Sequence, residues 1–144
     1  MDNIDLKIVD ILQSDGRITM KELGQRVGLT SPATIEGVKK LEEGGVIAGY
    51  KAILNIPRAG LPVRAFLLVS PQNQSGERFI DFIAQQDSVL NCHRLAGSAS
   101  YLVEAVLADM QGLERLLDQV GTYGSVETHL ALSSPIEHRA VVLP

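Results

Sequence analysis

With Thr34, Val38 and Leu41 on one side of a helical repeat, Ser31, Pro32, Ile35, Glu36 and Lys39 fall on the other. That outer face carries a hydroxyl, an aliphatic side chain and an ammonium. A serine hydroxyl can bond a base edge or a phosphate, and an isoleucine can touch a thymine methyl. Lys39 and Lys40 suit phosphates, which position a protein on a duplex without specifying sequence. Arg17, Lys21 and Arg26 stand upstream, where they could hold the flanking phosphate backbone. The plain alternative is a solvated face of ordinary surface charge. Glu36 would repel phosphates, so it either accepts from a cytosine amine or is merely tolerated.

A second candidate site lies far along the chain. Gly97, Ser98, Ala99, Ser100 and Tyr101 form a turn of small residues that would let a ligand approach the backbone closely. Thr128, Ser133 and Ser134 could add hydroxyls from the last strand. The competing reading is a tight hairpin turn with ordinary polar strand residues. Cys92 and His93 are adjacent, and strand alternation puts them on opposite faces, which argues against a shared metal site or nucleophile. His129 and His138 lack partners at metal-ligand spacing. No Ser/His/Asp arrangement, phosphate-binding loop or dinucleotide fingerprint occurs, so neither a metal nor a cofactor is expected.

The elements that must position these residues follow from period and caps. Residues 2–14 read as a helix capped by Asp2 or Asn3, with Ile4, Ile8, Ile11 and Leu12 on one face. Thr19 stands three residues before Glu22, a capping box that opens a second helix with Leu23 and Val27 inward. Gly28 suits its C-terminus. Thr30 or Ser31 caps the third helix, Pro32 is tolerated in its first turn, and Gly44-Gly45 stops it. Val46 to Leu54 is rich in Val and Ile and reads as a strand. Three short helices with a tight turn between the second and third, followed by a strand, give the order of a winged helix-turn-helix. A generic three-helix bundle is the alternative.

Asn55 to Pro62 contains two prolines and a glycine and reads as a linker. Beyond it come a strand at Val63 to Val69, a helix at Glu77 to Gln86, strands at Val89 to Leu95 and Ser100 to Leu107, a helix capped by Asp109 and running through Val120, and a strand at Val126 to Leu132. The order βαββαβ is that of ferredoxin-like folds. Leu67, Val69, Leu102, Val106 and Leu130 alternate with other apolar residues, so both faces of the sheet are expected to be apolar. A small domain of that kind usually buries its second face against a copy of itself. The expected organisation is a winged helix-turn-helix domain over residues 1–50, a strand and hinge over 51–62, and a ferredoxin-like, oligomerising domain over 63–144.

The chain has 144 residues, 45% hydrophobic and 21% charged, which suits a soluble globular protein of one ordinary or two small domains. No apolar run is long enough to span a membrane, the acidic N-terminus does not look like a signal peptide, and the single cysteine excludes an internal disulfide. A cytoplasmic location is expected. The net charge of −4 is unevenly spread: residues 1–50 hold six Lys/Arg against eight Asp/Glu, residues 51–64 hold three Lys/Arg and no acid, and residues 65–144 hold four Arg against nine acids. The acidity therefore lies mostly in the C-terminal part. Binding through one face makes the whole-chain charge a weak guide.

Taken in order, Ile4-Asp5 with Ile8 and Leu12, Asp15-Gly16-Arg17, Glu22-Leu23-Gly24, Val27-Gly28-Leu29-Thr30, Val38-Lys39-Lys40-Leu41-Glu42, Gly45-Val46-Ile47, Gly49-Tyr50 and Arg94-Leu95-Ala96-Gly97 before Tyr101-Leu102 resemble the Lrp/AsnC, or feast/famine, family of transcriptional regulators. The resemblance covers nearly the whole chain. It implies double-stranded DNA read by the third helix, homodimers that often assemble further, and a small effector, commonly an amino acid, bound between C-terminal domains. Two positions depart from the family pattern. Gly37 stands where arginine is usual in the recognition helix, which removes a cation that could meet DNA. Ser100 stands where an acid often precedes the tyrosine, which removes a charged handle for an amino group. The leading reading is a ligand-responsive regulator. The alternatives are a DNA-silent paralogue acting as an oligomerising small-molecule module, or a decarboxylase of sirohaem-type tetrapyrroles using His93, Arg94 and His129.

Overall fold

A computed structural model describes residues 1–144, which divide into two units: Met1–Ile53 together with Ile136–Pro144, and Leu54–Pro135. The first unit holds three helices, α1 (Asn3–Ser14), α2 (Met20–Val27) and α3 (Ser31–Glu43). Each starts on the expected kind of cap. Asp2 caps α1 by accepting from the Ile4 and Asp5 backbone N–H groups, while Asp5 accepts in return from the Asp2 N–H, a reciprocal capping box. Thr19 Oγ1 accepts from the Glu22 N–H at 3.1 Å, and Thr30 Oγ1 caps α3 through the Ala33 N–H. Gly28 ends α2 in the left-handed conformation, with φ of 78°. Ile8, Leu23, Val38 and Leu41 meet in the centre of the unit.

Asp5 is buried, and its carboxylate also accepts from Lys40 Nζ at 3.0 Å, tying α1 to α3. The Asp2 N–H, and after it the Lys40 ammonium, hold the Asp5 carboxyl below the ordinary carboxylate range, and Asp5 raises the Lys40 pKa in turn. A lowered carboxyl contributes stability above its unfolded-state pKa and loses it as pH falls through the folded value. A raised ammonium contributes below its unfolded-state pKa and loses it as pH climbs through the folded value. The helical unit is therefore expected to be stabilised by this pair across neutral pH and to weaken in strong acid and strong base. Acid unfolding of Asp5→Asn, followed by circular dichroism, should show a flatter dependence below the carboxylate range; an unchanged acid slope would rule the pair out as its source.

The strand expected over Val46 to Leu54 does not form. A strand needs a partner for its backbone groups, and this unit contains no other strand. The Val46 and Ile47 N–H groups instead donate to the Leu41 carbonyl and close off α3. The helix-turn-helix is present; the wing strand is not.

The second unit follows the expected order: β1 (Val63–Pro71), α4 (Gly76–Ala84), β2 (Val89–Arg94), β3 (Tyr101–Leu107), α5 (Met110–Gly121) and β4 (Gly124–Leu130). The strands form one antiparallel sheet in the order β2-β3-β1-β4, the ferredoxin-like arrangement. Register assigns the faces. Ala65, Leu67 and Val69 pair with Ala105, Val103 and Tyr101 and pack under Phe79, Ile83, Leu113, Leu116 and Val120 of the two helices. Arg64, Phe66 and Leu68 pair with Val106, Glu104 and Leu102 on the opposite face. That face is more polar than the alternation of apolar residues suggested. Glu104 accepts from Arg64 Nε at 2.8 Å and from Asn91 Nδ2 at 2.9 Å, and the Arg64 guanidinium lies 5.7 Å from the centre of the Phe66 ring. Leu67, Val69 and Leu130 belong to the helix-covered face, Leu102 and Val106 to the other.

The expected boundaries also differ at the C-terminus. Residues 136–144, assigned from sequence to the second domain, pack with the first unit.

Candidate nucleic-acid interface and ligand turn

The α2–α3 pair can cross closely because Gly24 lies at the contact. A Cβ there would stand 2.6 Å from Thr34 Oγ1 and 2.7 Å from the Leu29 carbonyl oxygen. Thr34 is fully buried, and its hydroxyl donates back to the Thr30 carbonyl at 2.8 Å. Anchored by Thr34, Val38 and Leu41, α3 turns Pro32, Ile35, Glu36 and Lys39 to solvent, with Ser31 half-buried. Ile35 is 51% exposed, which leaves its aliphatic side chain open to contact from outside the unit. Lys39 lies 3.7 Å from Glu43 one turn on, with both side chains exposed, a pairing too solvated to hold the ammonium in place. Arg17, Lys21 and Arg26 are all exposed, Arg17 ahead of α2 and the other two on it.

Lys40 is placed differently from its neighbour. Its ammonium is engaged by Asp5, a residue 35 positions earlier, so a phosphate would have to compete for it. Gly37 also takes on another meaning. It lies on the flank of α3 that faces α1, where a Cβ would approach Ile8 Cδ1 to 3.2 Å. A larger residue there would need the end of the Ile8 side chain to give by a few tenths of an ångström, and the position is not on the outward face of Ile35 and Lys39.

One feature of this surface escaped the sequence reading. Tyr50 Oη donates to Glu42 Oε1 at 2.9 Å, beside a groove of about 490 Å³ shared with Ile35 and Lys39. Partial burial, reinforced by the Glu42 carboxylate, pushes the Tyr50 phenol up to about 12, so it stays a neutral donor. The bond spans residues 42 and 50, and an aromatic residue in a presumed strand gave no sign of it.

In the second unit, the turn before β3 is fastened by the Leu95 N–H to the Ser100 carbonyl and the Ser100 N–H to the Val69 carbonyl. Gly97, Ser98 and Ser100 are exposed and Ala99 is half-buried; a Cβ on Gly97 would meet nothing within 4 Å, so packing does not demand the glycine. Tyr101 points away from the turn into an aromatic cluster, its ring centre 5.2 Å from that of Phe79. Thr128 pairs with Leu67 on edge strand β4 and is exposed. Ser133 and Ser134 lie past the other end of the sheet, where Ser134 Oγ accepts from Arg64 Nη1. Since Tyr101 pairs with Val69, the span from that pair to Arg64 is about 17 Å at the usual rise per residue. One protomer therefore does not bring Ser133 and Ser134 to the turn.

His93 pairs with Leu102 on the open face, and Cys92 pairs with Val103 on the helix side, where burial pushes its thiol up. His129 bonds Glu127 on β4, at the opposite edge of the sheet from His93, three strand spacings or about 14 Å away. Arg94 pairs with Tyr101, so its face differs from that of His93. His93, Arg94 and His129 do not gather into one site.

Comparison with known proteins covers both units. Residues 1–42 match the family model of the AsnC-type helix-turn-helix domain, and residues 64–141 match that of the Lrp/AsnC ligand binding domain. The chain is 39% identical over 140 residues to the uncharacterized HTH-type transcriptional regulator YezC of Bacillus subtilis, covering 97% of this chain and 99% of that protein. The solved structure of Bacillus subtilis LrpC superposes with a TM-score of 0.91 at 30% identity, covering 96% of this chain and 99% of that one. A transcriptional regulator from Neisseria meningitidis, NMB0573, solved as a complex with L-Met, superposes with a TM-score of 0.90 at 29% identity, covering 100% and 96%.

Proposed function

The chain belongs to the Lrp/AsnC family of transcriptional regulators, and from that premise we propose that α3 reads its operator through Ser31, Ile35 and Lys39, with Arg17, Lys21 and Arg26 on the flanking phosphates. The observation that carries this assignment is the half-exposed Ile35 beside Lys39 on a helix whose opposite side is locked to α2 through Gly24 and Thr34. A helix held in this way can enter a major groove as a rigid body. Lys40, committed to Asp5, is a lesser contact, and Glu36 sits on the rim of the same face.

The second unit acts as an assembly and effector domain. The half-buried Phe66, Leu68 and Leu102 on the uncovered sheet face, together with exposed Leu90, support pairing with a second copy. A homodimer would present two α3 helices to half-sites about one helical turn apart. The L-Met complex of the Neisseria relative supports an amino acid as effector. The turn Gly97 to Ser100, open and unconstrained by packing, is the assigned ligand contact, with Ser133 and Ser134 contributing only from a neighbouring copy. Effector binding would then shift assembly and, through it, operator affinity.

Gel shift with the gene's own upstream region, over a salt series and with an amino-acid panel, tests the reading. The expected result is retention that weakens as salt rises and survives excess random DNA, with at least one amino acid moving the curve. No retention at low salt would overturn it. Lys39→Ala should leave the fold intact and lower the slope of log affinity against log salt by about one unit, one phosphate contact fewer. An unchanged slope would remove Lys39 from the interface.

A further inference from the structure

Glu42 stands seven residues after Ile35 and three after Lys39, so the helical period puts all three in one outward stripe of α3. A carboxylate in that stripe is badly placed on a helix that must approach phosphates. Lys39 also has two carboxylates within reach one turn on, Glu42 and Glu43. Glu43 lies 3.7 Å from its ammonium. Glu42 is engaged elsewhere: its Oε1 accepts from the Tyr50 hydroxyl at 2.9 Å. The hydroxyl arrives there because the chain turns back along α3 after Gly44. The Val46 and Ile47 N–H groups bond the Leu41 carbonyl, and Tyr50 then reaches a residue eight positions behind it. Its ring rests at the turn after α1, where Cδ1 stands 3.9 Å from the position of a Cβ on Gly16. Leu12 and Met20, both half-buried, line the same groove as the ring, Ile35 and Lys39.

We propose that Tyr50 is a positioning residue for DNA binding: its hydroxyl draws the Glu42 carboxylate toward the Gly16 turn, off the stripe of Ile35 and Lys39, and leaves the Lys39 ammonium to the operator phosphates. The role rests on the regulator reading of α3, and it requires no contact between Tyr50 and DNA. Tyr50 acts through Glu42. A phenol suits the task, because partial burial and the Glu42 carboxylate push it up to about 12, so that it remains a donor throughout the physiological range. Glu42 stays an anion, and the net charge of the unit is the same with or without the bond. What the bond sets is where that charge stands. A displacement of a few ångströms matters because repulsion from a phosphate falls with distance and is largely screened beyond about 8 Å at physiological salt.

Tyr50→Phe keeps the ring on Gly16 and removes only the hydroxyl, while Glu42→Gln removes the charge. The full chain, the two single variants and the double variant are titrated with a fragment of the gene's own upstream region by fluorescence anisotropy over a salt series, and their melting is followed by circular dichroism. Tyr50→Phe should bind about two- to threefold more weakly at low salt, the scale of one like charge released about 7 Å from a phosphate. The loss should fade as salt rises. In the Glu42→Gln background, Tyr50→Phe should change nothing, because the group it acts through no longer carries charge. A loss that persists in that background, or that does not vary with salt, would make Tyr50 a direct contact or a packing residue and overturn the proposal. Unchanged binding by Tyr50→Phe would overturn it too. A lower melting temperature does not blur the result: a weakened fold loses affinity in both backgrounds, a released carboxylate in one only. If the unaltered chain binds no DNA at low salt, the regulator reading fails and this role with it, whereas an unaltered chain that binds no better than Tyr50→Phe sinks the role alone.

Discussion

Gly24→Ala should unfold the DNA-reading unit well below the temperature at which the unaltered chain melts, and should abolish operator binding at concentrations where the unaltered chain is saturated. The added methyl has nowhere to go. It meets the Leu29 carbonyl oxygen at 2.7 Å and Thr34 Oγ1 at 2.6 Å. Neither yields cheaply: the first is backbone in the turn between α2 and α3, and the second belongs to a fully buried residue bonded to its own helix. Overpacking of this kind costs about 1–3 kcal/mol and sometimes more. Helix propensity runs the other way, since alanine is preferred over glycine by about 1 kcal/mol in a helix interior. Because the clash is with backbone, the upper end of that range applies, leaving a net loss of up to about 2 kcal/mol. For a unit this small that shift lowers Tm by about 10 °C. The part that moves is the crossing of α2 and α3, so the outward face of Ile35 and Lys39 is lost before the unit is fully unfolded. Thermal unfolding by circular dichroism alongside DNA titration checks both effects. A variant that melts higher, as propensity alone would have it, would sink the close-approach argument.

The elements that could be read from sequence are those whose causes are local. Thr19, Thr30 and Asp109 each accept from a backbone N–H three residues on, a relation visible in any short window. The ferredoxin-like unit was legible because β1 alternates and α5 opens on the Asp109 cap, while α4 showed only its apolar face. Val46 to Leu54 has the composition of a strand, but a strand is a pairing, and composition cannot supply the partner. Gln13 Nε2 donates to the Val141 carbonyl, 128 positions on, and no periodicity links them. Lys40 reads as one more surface cation until Asp5 is seen beneath it. Gly37 is the sharpest case. Comparison with the family pattern made it a missing cation, whereas the packing makes it the point where α3 meets Ile8. A glycine inside a helix was a fair signal that something stands close, at Gly24 and Gly37 alike, but the identity of the neighbour is a tertiary fact. The candidate ligand residues divide for a similar reason. Hydroxyls at Thr128, Ser133 and Ser134 look clustered in sequence, yet an extended strand carries its two ends far apart.

The acidic balance of the chain is no obstacle to a DNA-binding role. The recognition surface is one helix face and its flanks, and Arg17, Lys21, Arg26 and Lys39 are all exposed on the helical unit. The Asp5–Lys40 pair cancels and leaves the net charge of the unit unchanged, so what matters for approaching DNA is where the exposed cations stand and not how many acids the unit holds.

The complementary lesion is Gly124→Val, which should strike the sheet unit and spare the three helices of the DNA-reading unit. A Cβ on Gly124 would fall 2.1 Å from the Ser70 carbonyl oxygen and 2.7 Å from Pro71 Cα, both backbone atoms of the neighbouring strand. No rotamer change relieves a backbone clash, so β4 must pull away from β1 where Pro71 pairs with Gly124. The neighbouring contacts go with it. The Tyr123 carbonyl accepts from the Gln72 N–H at 2.9 Å, and the Tyr123 ring stacks on Phe82 at 5.3 Å between centres, closing the end of the core under α4. Losing that edge should cost about 3 kcal/mol or more, the scale of severe overpacking with a lost aromatic contact. Hydrogen exchange resolved by unit separates the outcomes. Protection should drop in β1, β4 and α4 and persist in α1, α2 and α3, while the variant loses self-association and any amino-acid effect on DNA binding. Operator binding by a single helical unit should survive in weakened form, since Ile35 and Lys39 are untouched but two copies are no longer held together. Equal loss of protection in both units would show instead that the helical unit depends on the sheet for its stability, and that the two-unit division of the fold does not extend to its energetics.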